Sequence, residues 1–127
     1  MQLFLGLAFA GLLLILFPFA IPPRSVQAYA DHKAEGAELF ESSGCAHCHG
    51  NLAQGSEKGP ALRTVRNKMT AERMHKQIMD GGDSMPAFGD ALKEDQVQAL
   101  IELLRTKHPE KLLAHVKTDK AEKPAAQ

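Results

Sequence analysis

Hydrophobic and polar residues divide the chain into one long apolar run and a series of shorter helical patterns. The apolar run covers residues 3–21 and contains no charged side chain. After it, apolar residues recur three and four positions apart, which is typical of amphipathic helices rather than strands. This spacing predicts helices over residues 31–42, from about Thr70 to Met79, and from about Glu94 to Lys107. The last helix has the most regular apolar stripe, formed by Val97, Leu100, Ile101 and Leu104.

Glycine and proline interrupt the helical pattern between these segments. Residues 45–69 have weak periodicity, which predicts a long loop with one turn of helix around residues 64–68. Residues 83–90 form a second predicted loop, around Pro86. No segment alternates strictly enough for a strand. The fold class is therefore predicted to be all-α, with three main helices and loops long enough to surround a bound group.

The apolar run indicates export. Ala28 and Ala30 occupy the two small-residue positions of an A-x-A cleavage site, so the predicted cut follows Ala30. The basic residues that usually precede such a run are missing. An uncleaved membrane anchor is the alternative, because a run of this length can just span a bilayer. In both cases we expect the remaining chain to lie in the periplasm, with membrane association through residues 3–21 left open.

Few large side chains remain once the leader is set aside. Phe40 and Phe88 are the aromatic residues after position 30. A domain this small and this poor in aromatic residues has difficulty burying enough apolar surface to offset its ordering entropy. A cofactor would fill its centre. The predicted organisation is a signal peptide or anchor at 1–30, one domain at 31–109, and a charged, flexible tail at 110–127.

Charge narrows the classes of partner only slightly. The full chain has 15 Lys and Arg against 15 Asp and Glu, and loss of residues 1–30 removes only Arg24, leaving a formal charge of −1. No basic stripe along the sequence indicates nucleic acid. A net charge this small does not identify a charged partner.

Both cysteines of the chain lie in the sequence CAHCH at residues 45–49. C-x-x-C-H is the attachment motif of c-type haem. Two thiols separated by two residues on a tight turn can reach two vinyl groups on one porphyrin edge, and the imidazole that follows can place its Nε2 on the iron. The motif predicts covalent bonds from Cys45 and Cys48 and iron ligation by His49. His47, at a variable position, is expected to be exposed.

Other uses of these cysteines agree less well with the sequence. A redox dithiol usually opens a helix in a βαβ unit, and no strand pattern exists here. A zinc site would need further ligands, yet the other histidines lack the H-x-x-x-H spacing. A disulfide between Cys45 and Cys48 would leave His49 unexplained. One covalent haem c is therefore favoured, in agreement with export.

Met85 is the favoured second axial ligand. It follows His49 by 36 residues and lies in a loop with Asp83 and Ser84, where the common role of methionine as a core filler is less natural. Pro86 stiffens this loop. The alternative ligands are the histidines His32, His75, His108 and His115, of which His75 lies beside the apolar face of the second helix.

These motifs resemble those of the class I cytochrome c family, especially small bacterial monohaem cytochromes and the cytochrome c domains of larger redox enzymes. The resemblance runs from about Ala34 to Lys107. Its landmarks are GAELF at 36–40, CAHCH at 45–49, GPAL at 59–62 and MPAF at 85–88.

The resemblance implies a specific arrangement around the haem. It implies that the carbonyl of Pro60 accepts a hydrogen bond from the second ring nitrogen of His49, and that Leu62 and Phe88 pack on or near the haem. It also implies that the first and last of three main helices cross near Gly36.

Two positions depart from the pattern of the family. Leu103 stands where the last helix often presents an aromatic residue, and Lys93 stands where a Ser, Thr or Asp often caps that helix. Neither position bears on the haem chemistry, and both predict a less tightly held helix pair.

A six-coordinate haem has no open iron position for substrate but can pass an electron through its ring edge. The sequence therefore predicts a one-electron carrier between redox proteins, in the bacterial periplasm or on the membrane surface, and not an enzyme. Its donor and acceptor are not identified. Two alternatives stay open: an electron-transfer subunit of a larger membrane oxidoreductase, and a haem enzyme or gas sensor with a labile sixth ligand. The second lacks a distal His/Arg pair in the sequence.

Overall fold

Residues 24–122 are described by the computed structural model of the chain, and they form an all-helical fold, as predicted. Within these residues the structure has no strand, only an isolated bridge between Ser56 and Gly59. Its elements are α1 (Arg24–Ser42), α2 (Cys45–His49), a 3-10 turn (Val65–Asn67), α3 (Ala71–Asp80), α4 (Glu94–Arg105) and α5 (Pro109–Glu122).

Helix α1 begins earlier than the sequence predicts. The expected helix covered 31–42, whereas α1 starts at Arg24, and the proposed cleavage position after Ala30 lies inside it. Its added part is exposed at Tyr29, and the Lys33 ammonium lies 3.6 Å from the centre of that ring. The apolar run at 3–21 lies outside the described residues. Between residues 24 and 122, none of the helices is both long and apolar enough to cross a membrane.

The centre of the domain is the crossing of α1 with α4. A side chain at Gly36 would overlap the carbonyl oxygen of Ala99 and touch Leu103, so the two helices cross where only hydrogen fits. Phe40 and Leu103 are fully buried beside this crossing. The crossing near Gly36 that the resemblance implies is therefore present, with Leu103 in the place of an aromatic residue.

Helices α3 and α4 begin close to the positions that the sequence predicts. Thr70 Oγ1 accepts a hydrogen bond from the Arg73 amide at 3.3 Å and caps α3. Helix α4 is capped by one of its own residues. The Gln96 side-chain oxygen accepts a hydrogen bond from the Lys93 amide at 3.0 Å. The missing Ser, Thr or Asp at position 93 therefore does not leave that amide without a partner.

Helix α5 shows that the prediction of a flexible tail from residue 110 is wrong for residues 110–122. Pro109 and Leu113 are fully buried, in a helix that packs against α1 and α4. Proline fits the first turn of a helix because its missing N–H would have no partner there. Leu113 lies four residues later on the same face. The partly buried Leu112 and Val116 also pack against the core and help to hold α5 in place.

Candidate haem-binding site

The CAHCH motif forms a short helix of its own. Gly44 and Gly50 bound this helix with φ angles of 81° and 80°, so the chain reverses sharply on both sides. The sequence predicted a loop from residue 45, and the structure instead has one helical turn, α2. This turn brings Cys45, Cys48 and His49 to one cavity and leaves His47 exposed.

A hydrogen bond fixes the orientation of the His49 ring. His49 is 8 % exposed, and its Nδ1 donates to the Pro60 carbonyl at 2.8 Å. Because the proton is then on Nδ1, Nε2 keeps the lone pair that a metal ion needs. The bond implied by the resemblance is therefore present.

Close packing holds the Pro60 loop against α2. A Cβ atom at Gly59 would lie 3.0 Å from the Cys48 carbonyl oxygen and 3.2 Å from His49 Nδ1, so a larger residue would push the loop away. The Ser56 hydroxyl donates to the same Cys48 carbonyl at 2.6 Å. The distance between Pro60 and the imidazole is thus set by contacts on both sides of the loop.

Met85 is presented by a tight turn that follows α3. The amide of Gly82 donates to the Met85 carbonyl at 2.9 Å, and the Met85 amide donates back at 3.2 Å. Gly81 has a φ of 72°, and a Cβ there would come within 2.5 Å of the Met85 carbonyl oxygen. The turn therefore depends on glycine, as the Gly81-Gly82 pair in the sequence indicates.

Gln77 is a site residue that the sequence analysis missed. Its amide nitrogen lies 3.9 Å from Met85 Sδ and donates to the Gly81 carbonyl at 2.9 Å. The signal was available in the helix pattern: Gln77 follows the buried Met74 by three residues and precedes the buried Ile78, so it lies on the inward face of α3.

These segments surround a cavity of about 470 Å³, a size typical of cofactor sites. Apolar side chains make up most of its wall, including Val65, Ile78 and Leu104. All the site residues that the sequence predicted line it, namely Cys45, Cys48, His49, Pro60, Leu62, Met85 and Phe88.

The donor set of the cavity fits a c-type haem. An imidazole nitrogen and a thioether sulfur come from separate segments, and the two cysteines, which form no disulfide, lie beside them. Burial raises the pKa of the Cys45 thiol to about 11, so this thiol is protonated at neutral pH. Among residues 24–122, no group of three or more His, Cys, Asp and Glu side chains is arranged to hold a metal ion.

The alternative histidine ligands lie outside the cavity wall. His75 pairs with Glu94 at 2.9 Å, and His108 pairs with Glu110 at 3.1 Å. His32 lies 3.8 Å from Glu102. Of the ligands that the sequence proposed to pair with His49, Met85 is therefore the one that the fold places in the same cavity.

Comparisons with known proteins agree with this site. The family model of cytochrome c oxidase, cbb3-type, subunit III matches residues 31–104. Cytochrome c6 of Nostoc is 31% identical over 102 residues, covering 77% of this chain and 86% of the relative. Cytochrome c6 of Synechococcus is 35% identical over 79 residues, covering 58% and 69%.

A longer relative matches about half of the chain. The cytochrome c subunit of the menaquinol:cytochrome c reductase of Bacillus subtilis is 36% identical over 61 residues, or 48% of this chain. The chain spans only 23% of that subunit. No solved structure gives a significant match.

Proposed function

We propose that this chain, which belongs to the cytochrome c family, is a one-electron carrier whose single covalent haem c is ligated by His49 and Met85. One observation supports this ligation above all. The CAHCH residues and Met85 come from segments on either side of α3, yet they line one cavity. The haem, when bound, supplies a reversible one-electron couple at its iron, and thioether ligation raises the potential relative to two histidines.

The residues of the chain hold and shield the cofactor in this proposal. Cys45 and Cys48 tie the ring to α2 through thioether bonds. The bond to Pro60 fixes the orientation of His49, so that its Nε2 would be available to hold the iron. Leu62 and Phe88 supply apolar surface that excludes water.

The same ligation supports an electron-transfer protein that is not an enzyme. With His49 and Met85 both holding the iron, no position on it would be open to a substrate. We place the protein in the bacterial periplasm or on the membrane surface, because the apolar run at 3–21 and the A-x-A sequence are typical of exported chains. Its partners are redox proteins rather than nucleic acid.

An optical spectrum with and without carbon monoxide tests the axial ligands. We expect a covalent c-type spectrum, a far-red ferric band from the sulfur ligand, and no response of the ferrous protein to carbon monoxide. The variant Met85→Leu should lose the band and bind carbon monoxide. Met79→Leu, which changes a methionine outside the cavity wall, is the matched control and should keep both properties. A low-spin Met85→Leu protein that ignores carbon monoxide would point to a histidine ligand instead.

A second candidate function is that of an electron-transfer subunit in a larger membrane oxidoreductase. The match to a subunit family and to a reductase subunit favours it. Intact-mass measurement on protein from native membranes separates the two readings. A chain that retains residues 1–30 and migrates in a large complex supports the subunit, and a chain that begins at Asp31 and is released alone supports the free carrier.

A further inference from the structure

Two loops meet beside the His49 imidazole and are joined by a reciprocal pair of hydrogen bonds. One loop directly follows α2, and the other, at residues 59–63, carries Pro60. His49 Nδ1 donates across to the Pro60 carbonyl at 2.8 Å. Three residues further along both segments the direction is reversed, because Arg63 Nε donates to the Leu52 carbonyl at 2.9 Å. Each segment thus supplies one side-chain donor and one backbone acceptor.

The backbone beside these bonds joins the two loops as well. Ala53 is fully buried and has a φ of 55°, a left-handed conformation that is unfavourable for a residue with a Cβ atom. Its carbonyl accepts from the Leu62 amide at 2.9 Å and from the Arg63 amide at 3.2 Å. These two bonds favour the otherwise unfavourable backbone conformation. Arg63 therefore holds the first loop through both its amide and its side chain.

The Arg63 side chain acts on the haem site only through the chain. It does not line the cavity, and among residues 24–122 its guanidinium forms no ion pair within 4 Å. The residue is half-buried. Burial of a charged group is unfavourable unless its N–H groups are hydrogen-bonded, so the Leu52 carbonyl is the partner that stabilises this position.

We propose that Arg63 is a positioning residue of the haem site. By tying its loop to the Leu52 carbonyl, it keeps the Pro60 carbonyl at hydrogen-bonding distance from His49 Nδ1. The inference rests on the proposed function, because His49 must ligate the iron for this bond to act on it. A carbonyl that accepts from Nδ1 raises the basicity of the imidazole, and a more basic ligand favours ferric iron. Arg63 therefore lowers the reduction potential.

Two substitutions separate the hydrogen bond of Arg63 from its charge. Arg63→Leu removes the donor, whereas Arg63→Gln keeps an N–H group at the same number of bonds from the backbone. Both remove the positive charge, so the difference between the two holoproteins reports the hydrogen bond. Arg66→Leu and Arg66→Gln are the matched controls, because Arg66 is exposed and does not line the haem cavity.

Redox titration and NMR measurement of the exchange of the His49 Nδ1 proton compare the holoproteins. We expect a higher reduction potential in Arg63→Leu than in Arg63→Gln, because the imidazole becomes less basic when the Pro60 carbonyl is less firmly held. The Nδ1 proton should exchange with solvent about two- to ten-fold faster in Arg63→Leu, the factor expected for the loss of one hydrogen bond. The two Arg66 variants should differ from each other in neither property.

Equality of Arg63→Leu and Arg63→Gln in either property would overturn the positioning role, as would the same differences between the Arg66 variants. If Arg63→Leu does not take up haem, Arg63→Gln is compared with the unsubstituted protein. Its Nδ1 exchange rate must then lie within about two-fold of the unsubstituted rate, and faster exchange would reject the proposal. A holoprotein without a c-type spectrum, or one whose NMR spectrum shows that His49 does not ligate the iron, would instead reject the function on which the proposal rests.

Discussion

In the proposed ligation, the contacts around Met85 would affect how strongly its sulfur binds the iron. The Gln77 amide lies 3.9 Å from Met85 Sδ and shares its hydrogens with the Gly81 carbonyl. A donor near the sulfur draws electron density from it and makes it a weaker ligand for ferric iron. If Met85 ligates the iron as proposed, the lower oxidation state would gain by comparison, and we expect this side chain to raise the reduction potential.

The variant Gln77→Leu tests this contact. Loss of a hydrogen bond of about 0.5 to 1.5 kcal/mol corresponds to a fall in potential of about 20 to 60 mV for a one-electron couple. Gln98→Leu removes the same group from the exposed face of α4 and should leave the potential unchanged. Redox titration followed by the haem absorbance measures both. An unchanged potential in Gln77→Leu would show that the 3.9 Å contact has no electronic effect.

The sequence indicated candidate site residues better than it indicated the contacts between them. The sequence indicated Cys45, Cys48 and His49 because covalent attachment requires a fixed spacing, and it indicated Met85 because a methionine is unusual in a polar loop. The structure places all four in the wall of one cavity. Gln77 was missed because a polar residue on a helix does not show which neighbour it faces.

Helix packing explains which substitutions the domain will not accept. At the crossing of α1 and α4, a methyl group at Gly36 would overlap the Ala99 carbonyl, and neither backbone can move without displacing Leu103. This contact has no spare volume. The crossing therefore requires glycine at position 36.

Gly36→Ala should destabilise the holoprotein by about 1 to 3 kcal/mol, the usual range for overpacking a core. Glu38→Ala lies on the exposed side of the same helix and should change stability by less than about 0.5 kcal/mol. Guanidinium unfolding, followed by the haem absorbance, gives both values. A neutral Gly36→Ala would mean that the two helices can separate without loss.

Helix α5 is an element whose packing the sequence pattern did not predict. Its apolar residues Leu112, Leu113 and Val116 cover only its first two turns, and the charges that follow resemble those of a flexible tail. Only the tertiary contact of Leu113 with α1 and α4 reveals that the segment is held in place. The regular apolar stripes of α3 and α4 were recognisable because the spacing of their apolar residues indicates which face is buried.

Leu113→Ala tests whether α5 belongs to the folded unit. We expect a loss of about 2 to 5 kcal/mol, as for a leucine removed from a packed core. Leu112→Ala, at a partly exposed neighbour, should cost less. If both variants unfold at the denaturant concentration of the unsubstituted protein, α5 contributes nothing to stability.

The molecule as a whole is built around a centre that its own side chains do not fill. Phe40 is the fully buried aromatic residue of the described core, and a cavity of about 470 Å³ lies among α2, α3 and the Met85 turn. The apolar walls lose their packing partners if the cofactor is missing. Haem is thus expected to act as the missing part of the core.

The double variant Cys45→Ala/Cys48→Ala tests this dependence. Without covalent attachment we expect most of the helical circular dichroism signal to be lost, along with cooperative unfolding, because the remaining core is too small to offset the ordering entropy. Met79→Leu, expressed in parallel, should retain haem and native helicity. A cooperative thermal transition in the haem-free variant would contradict the expectation.

The packing of α1 against α4 also has a consequence for the order in which the chain folds. Gly36 and Ala99 meet across most of the domain's length, so their contact cannot form until the segment containing α4 has left the ribosome. The CAHCH segment is made well before that moment. Leu104 of α4 lines the cavity, so the cavity wall is complete only after α4 has been made and has packed. The segment proposed to attach the haem is therefore synthesised before the helix that completes its surroundings.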